Sequence, residues 1–401
     1  MATADPVSIA FIHFITDHWP YLGAGLLVLC VLLVQRRSPA PTHEDPKKNP
    51  TIPQIDPLVD FDWTKTEPLV LRPFKPRYHI TMGIETTTLS EIVQIDKHYL
   101  SRIQLRTALI QHKKPAVLGT TPRAVPAVRE LYTFLVNDYL PQRYGAIFHR
   151  LPPSPNQLES ITNVITGETI PCTPPTDPEE ALAIIGRQVE EDFLLLLPPP
   201  PPPPSPTTST TGPKTEPRAE DPENKQMSLE AFIGCFPNGF SWADKFTKSL
   251  AAIHVPVPDY TAKLRGSMDR YLGRLAVGTV VKRANWTVSV DGELHAADSM
   301  HLYEGETVEE VDVLDIEKAR LRCERQVLFR LPRSNAVVFV VRTYMYPLQE
   351  IKEEGSGPRM VEAIAGLKAG SSPGFHFYKR AAVWQRAVSE FLVGKGGGCA
   401  E

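Results

Sequence analysis

His254 is the side chain that its neighbours best prepare to bind a metal. It ends the apolar stretch Leu250–Ile253 and is followed by Pro256 and Pro258. Proline fixes its own φ and keeps the residue before it out of the helical region. The imidazole therefore leaves the chain in a defined direction, which a metal ligand needs and a surface histidine does not. The alternative is a histidine at a helix end that meets only the last carbonyls. Glu190, Glu191 and Asp192 interrupt a segment whose apolar content reads as helix, Ile184–Leu197. Glu191 and Asp192 flank the face of Val189 and Phe193, so they are candidates for an inward catalytic carboxylate; the alternative is that all three are solvated. Arg283, Asn285 and Trp286 fall in an expected strand, where a period of two puts Arg283 and Asn285 on one side. Arg325, Gln326 and Arg330 bracket another. A guanidinium donates in a fork that suits a carboxylate, of a ligand or of an acidic partner; strand-edge salt bridging is the plainer role.

The elements that must carry these residues follow from periodicity. Leu89–His112 predicts a helix with Ile92, Ile95, Tyr99 and Ile103 on one face and Ser90 as its cap. Ala124–Leu140 repeats the pattern and meets Pro141. Asp177-Pro-Glu-Glu is a helix start, with a capping Asp, Pro in the first turn and acids at the positive dipole end. Helical spacing returns at Ser241–Ile253 and Tyr260–Leu275. Val277–Val290, Gln326–Leu331 and Ala336–Met345 predict strands, the last rich in branched and aromatic residues. Ala381–Val393 predicts a closing helix. Helices early and strands late, without βαβ alternation, predict an α+β fold with an antiparallel sheet.

The chain has 401 residues, 40 of them proline, with 42% hydrophobic content, enough to build a core. A net charge of -3 gives no sign of nucleic-acid binding. Cys30, Cys172, Cys235, Cys323 and Cys399 are scattered and form no C-x-x-C pair, which argues against a disulfide framework and against thiolate metal centres. Trp19–Val34 is uninterruptedly apolar and is followed by Arg36 and Arg37, with Asp5 and Asp17 before it. The positive-inside rule then predicts a single N-terminal transmembrane helix in residues 1–37, with the rest in the cytosol. Residues 38–62 read as a proline-rich tether, 63–393 as the main domain and 394–401 as a flexible tail. Within the domain, 198–226 reads as a disordered insertion that opens on Pro198–Pro204. No Gly-x-Gly-x-x-Gly, Walker loop, Gly-x-Ser-x-Gly or His-Glu-x-x-His is present. A redox role would therefore draw its electrons from a separate protein.

Taken in order, several segments resemble a known family. They include Tyr78-His-Ile-Thr-Met-Gly-Ile84, Asp138-Tyr-Leu-Pro-Gln-Arg-Tyr144 and Gly186-Arg-Gln-Val-Glu-Glu-Asp-Phe193. They continue with Ile253-His-Val-Pro-Val-Pro258, Arg283-Ala-Asn-Trp286, Glu324-Arg-Gln-Val-Leu-Phe-Arg-Leu-Pro332 and Thr343-Tyr-Met-Tyr-Pro-Leu348. The chain resembles the heme-dependent oxidative N-demethylase alpha-subunit-like family, in its membrane-anchored fungal branch. The resemblance implies a PAS-like antiparallel sheet with surrounding helices and a heme pocket. It implies removal of a methyl group from a small amine with O2, and electrons from a separate reductase. It also implies His254 as axial iron ligand, with Arg283, Asn285, Arg325 and Gln326 as cofactor contacts and Glu191 and Asp192 as candidate catalytic residues.

With the anchor, this reading places the protein in the endoplasmic reticulum membrane, its domain facing the cytosol. Two other readings remain at this stage. A secretory glycosyltransferase would use Asp60-Phe-Asp62 for a metal–nucleotide. A non-catalytic PAS-like module would only bind a ligand, or a partner through its proline run.

Overall fold

Residues 228–233, 280–289, 320–330 and 337–347 are strands of one sheet, the last the richest in branched and aromatic side chains. A computed structural model describes residues 54–152, 158–200, 226–298, 300–302, 305–306 and 314–394. The main sheet contains β1 (Glu85–Thr87), β2 (Leu118–Thr120), β6 (Asp192–Leu197) and β7 (Ser228–Ile233). It is completed by β8 (Val280–Ser289), β9 (Arg320–Arg330) and β10 (Val337–Pro347). The strands lie in the order β1-β8-β9-β10-β6-β7-β2, and every pairing is antiparallel. A second small sheet joins β3 (Phe148–Arg150), β4 (Ser160–Asn163) and β5 (Thr169–Pro171). The expected α+β class with an antiparallel sheet describes this architecture.

One face of the main sheet is roofed by helices. α1 (Tyr99–His112), α2 (Val125–Thr133) and α3 (Pro178–Gln188) pack against Phe193, Leu195, Val327 and Val338. α6 (Gly357–Ala369) and α7 (Ala381–Val393) cover Trp286, Cys323, Tyr344 and Tyr346 further along the same face. The opposite face carries Leu194, Leu196, Leu328 and Val341 and meets the single turn α4 (Leu250–Ile253) and α5 (Arg265–Arg274). Close approach sets one contact of the roof. A Cβ at Gly370 would lie 1.5 Å from the main-chain oxygen of Tyr78, so only glycine lets these segments meet.

The structure redraws several expected elements. Asp177 does cap α3, accepting from the Glu179 amide at 2.9 Å. The helix nevertheless stops at Gln188, and Asp192–Leu197 is strand β6, buried along its whole length. A run with no polar position has no readable period, and a strand covered on both faces looks like a buried helix. The expected helix Leu89–His112 is a short turn at Leu89–Glu91 followed by α1. Ser90 caps nothing; its Oγ accepts from the Asp56 amide at 2.8 Å. α2 runs on through Phe134–Tyr139 in π geometry and a further turn at Leu140–Arg143, passing the proline expected to end it. Within Ser241–Ile253 only the turns Trp242–Lys245 and Leu250–Ile253 form. Packed chain begins before Trp63: Ile55 is buried, and Gln142 and Arg143 donate to the main-chain oxygens of Ile55 and Asp56.

The expected membrane anchor is corrected. Among the described residues no helix is long and apolar enough to cross a membrane. The longest, α1, has 14 residues, against the roughly 20 apolar residues a span requires. Trp19–Val34 lies outside the described residues. The described residues are therefore α+β with no spanning helix among them, and neither the single-pass anchor nor its placement in the endoplasmic reticulum is supported. The Pro-rich insertion and the C-terminal tail fall largely outside the described residues as well. Cys172, Cys235 and Cys323 are buried free thiols.

The turn from α3 into β6 is held by one guanidinium. Arg106, fully buried on α1, donates to the main-chain oxygens of Gly186 (2.9 Å), Glu190 (3.0 Å) and Glu191 (2.9 Å). Its Nη1 also meets Asp192 Oδ1 at 2.6 Å, and Asp192 accepts from the amides of Cys235 and Phe236 beyond β7. Removing one member strands the other as a buried charge, which costs about 3–5 kcal/mol. Asp192→Ala is accordingly expected to lower unfolding stability by about that amount in urea titration.

Candidate functional site

Because β6, β8, β9 and β10 turn every second side chain the same way, one face of the sheet becomes the floor of a cavity. Leu194, Leu196, Leu328, Phe339 and Val341 make its apolar half. Arg283, Asn285, Thr287, Glu324 and Gln326 make its polar half. Here Arg283 lies opposite Gln326 and Asn285 opposite Glu324 in the β8–β9 register. The opposing wall comes from α4, the His254–Val257 segment, α5, Tyr78–Met82 and the Phe375–Lys379 turn. The cavity volume is about 260 Å³, just below the roughly 300–1,000 Å³ usual for ligand sites.

His254 closes one side of this cavity. It is the C-cap of α4, and its Nδ1 lies 2.7 Å from the Leu250 main-chain oxygen. A carbonyl can only accept, so Nδ1 carries the proton and Nε2 keeps its lone pair. The ring stacks on Tyr260 at 4.6 Å and 13° between planes, which fixes its plane. Burial holds its pKa below the usual value, with the Leu250 hydrogen bond opposing, so the imidazole is neutral at pH 7. Val255, next in sequence, is 76% exposed, which places this segment on the rim. Of the two readings of His254 left open by sequence, the contact with a helical carbonyl is present, made to the first residue of the turn, Leu250, and that bond aims the other ring nitrogen.

Several polar atoms along the cavity have no hydrogen-bond partner among the described residues: Asn238 Oδ1, Trp242 Nε1, Arg283 Nε and Thr287 Oγ1. A buried unsatisfied polar group costs about 1–3 kcal/mol. A bound molecule with polar groups would satisfy these atoms, although further unpartnered polar atoms lie outside the cavity. Arg322, on the same strand face, donates to the main-chain oxygens of Phe236, Pro237, Glu293 and Leu294. It thereby holds the loop that carries Asn238.

Asn285, Gln326, Arg283 and His254 are thus brought together. Arg325 is not: it follows Glu324 and precedes Gln326 on a strand, so the pleat turns it to the helix side, where Nη2 lies 3.5 Å from Glu91. Glu191 and Asp192 do not line the cavity either. Asp192 belongs to the Arg106 pair, and Glu191 accepts from the Gln94 amide at 2.8 Å and lies 3.7 Å from Arg342 Nη1. Arg342 also meets Asp96 at 2.6 Å and Glu190 at 2.9 Å. These carboxylates tie the roof to the sheet, and burial pushes the Glu190 pKa up to about 7. Asp62, once a candidate metal–nucleotide residue, caps the turn Trp63–Lys65 and pairs with Lys65 at 2.8 Å.

The cavity residues that escaped the sequence reading include Asn238, Thr287, His301, Glu324 and Lys379. His301 stacks on Tyr378 at 4.3 Å, and burial presses its pKa down to about 3. Lys379 is 3% exposed; it donates to Asn285 Oδ1 at 3.0 Å and to the Trp286 main-chain oxygen. Glu324 and Thr287 had a usable signal, since they alternate with Gln326 and Asn285 on their strands. The others sit in irregular segments without a period.

The chain from residue 83 to residue 389 matches the family model described as Haem-dependent oxidative N-demethylase, alpha subunit-like. The chain belongs to this family. The match runs from the residues just before β1 to within α7, so it takes in the whole sheet and His254. The family's name joins heme dependence to oxidative N-demethylation, and the cavity is the place in this member where both can be tested.

Burial, reinforced by Arg283 and opposed by Glu324, lowers the Lys379 pKa from 10.5 to about 7. The folded amine then binds fewer protons than the unfolded one between pH 7 and 10.5, so stability rises with pH across that window. Wild type is expected to gain on the order of a few kcal/mol there relative to Lys379→Met, measured as the difference between their urea midpoints at each pH.

Proposed function

We propose that this chain is a heme-dependent oxidoreductase. It would take a methyl group from, or oxygenate, a small amine or related metabolite, using O2 and electrons from a separate reductase. The observation that carries this reading is His254: Nδ1 committed to the Leu250 oxygen, Nε2 left with a lone pair on a residue that lines an amphipathic cavity. Metal-binding histidines are usually oriented this way by their second nitrogen.

The residues fit the group. A porphyrin brings its own four nitrogens and asks the protein for an axial ligand, apolar walls and partners for its carboxylates. His254 would hold the iron. Arg283, with Nε unmatched, would meet a carboxylate, with Asn285 and Gln326 beside it. Among the described residues no cluster of three or more His, Cys, Asp or Glu side chains is arranged to hold a metal ion. Heme, when bound there, supplies oxygen activation. Leu194, Leu196, Phe339 and Val341 exclude water from the floor of the site. Glu324 offers a carboxylate to a cationic amine beside it.

An absorption spectrum of the purified full-length chain tests the reading. A Soret band is expected, lost in His254→Ala and restored in that variant by added imidazole. A colourless wild-type protein after heme supplementation would overturn it. Arg283→Gln removes one charge-assisted hydrogen bond of about 1.5 kcal/mol, so heme should be released to a competing heme scavenger about tenfold more readily.

A further inference from the structure

Lys379 is left over by the heme reading. It follows the turn Phe375–Tyr378, and its ammonium group is buried on the cavity wall. Among the described residues no carboxylate lies within salt-bridge distance of its Nζ, an unusual situation for a buried lysine. The rings of Tyr78 and Trp286 each have their centroid 5.3 Å from Nζ. The charged or titratable groups that bear on it are Glu324 and Cys323 from β9, Arg283 from β8 and His301 from the adjoining loop.

The valences of Nζ are informative. A neutral amine has two N–H bonds and one lone pair. Asn285 Oδ1 and the Trp286 oxygen accept from this nitrogen. With both hydrogens so used, the lone pair is the valence left for the cavity. Burial brings the amine to about half deprotonation near neutral pH, in the manner of nucleophilic lysines. The two flanking rings restrict its partner to a small, unhindered electrophile.

We propose that Lys379 is a carbonyl-reactive amine that condenses with a small aldehyde in this cavity to form an imine. The Nζ lone pair attacks the carbonyl carbon and the C=O π pair moves to oxygen, which takes up a proton as nitrogen gives one up. The carbinolamine then loses its hydroxyl group as water, with the second N–H proton, and the C=N bond forms. No electrons are transferred, so no oxidant or reductant is needed. Solvent water carries these protons, and Glu324, opposite Asn285 on the neighbouring strand, is a carboxylate lining the same cavity beyond direct reach of Nζ. This inference is independent of heme. It meets the proposed function in one respect, because oxidative loss of a methyl group releases a one-carbon aldehyde into the same space.

The test is reductive trapping of the full-length, heme-free chain at pH 7 with limiting formaldehyde and cyanoborohydride, followed by peptide mass mapping. Lys379 is expected to gain the methyl label several-fold faster than Lys65, an exposed lysine whose pKa is raised by its bond to Asp62. In Lys379→Arg the label disappears from that peptide and persists at surface lysines. The competition within wild type needs no variant to fold. Labelling of Lys379 no faster than that of Lys65 would overturn the proposal. The Soret band of a parallel heme-supplemented sample reports on the heme reading alone.

Discussion

A strand turns successive side chains to opposite faces, and this alternation governs the whole molecule. On β8, β9 and β10 one set of positions belongs to the helical roof and the other to the cavity. Trp286, Cys323 and Tyr344 take the first role. Arg283, Asn285, Glu324 and Gln326 take the second. A register slip of one residue would exchange the two sets, placing arginine and glutamate under the roof and Trp286 over the cavity. The long pairings of β9 with β8 and β10 make such a slip expensive. Site geometry and core packing are therefore one constraint seen from two sides.

The roof itself contains charge. Arg106 and Arg342 are completely buried, yet each is surrounded by carboxylates and carbonyl oxygens contributed by the α3–β6 junction. Such pairs add little net stability compared with a well-packed apolar core. What they supply is direction. Glu190, Glu191 and Asp192 are consecutive, and each is committed to a defined partner, so the chain leaves α3 at one angle and enters the sheet in one register. That register sends Leu194 and Leu196 to the cavity and Phe193 and Leu195 to the roof.

Much of this was legible in the sequence, and the failures have physical causes. Strands β8 and β10 were expected close to their observed bounds and β9 only over its second half, Gln326–Leu331, while the alternation of Arg283 with Asn285 placed both on one side, which is the cavity side. The same rule, applied to Arg325 and Gln326, required that neighbours on a strand part company; only Gln326 reaches the cavity. The acidic triplet was misread because the leucine run after it has no period, so a helix was continued through what is a turn into strand. Inward-facing carboxylates were then taken for chemistry, when burial with arginine served structure. Lys379, His301 and Asn238 stand on turns far apart in the chain, and only the tertiary fold brings them to one wall. The prolines after His254 did mark a fixed residue. The carbonyl of Leu250, which decides the tautomer, is visible only in the folded chain.

The central claim is that His254, aimed by Leu250, and the polar-apolar floor of the sheet form a single heme site. A crystal structure of the heme-loaded chain tests it most directly. The account predicts iron on His254 Nε2, with the Nδ1 contact to the Leu250 oxygen retained and a heme carboxylate on Arg283. Iron held by another residue, or heme bound outside the cavity of β6, β8, β9 and β10, would contradict it.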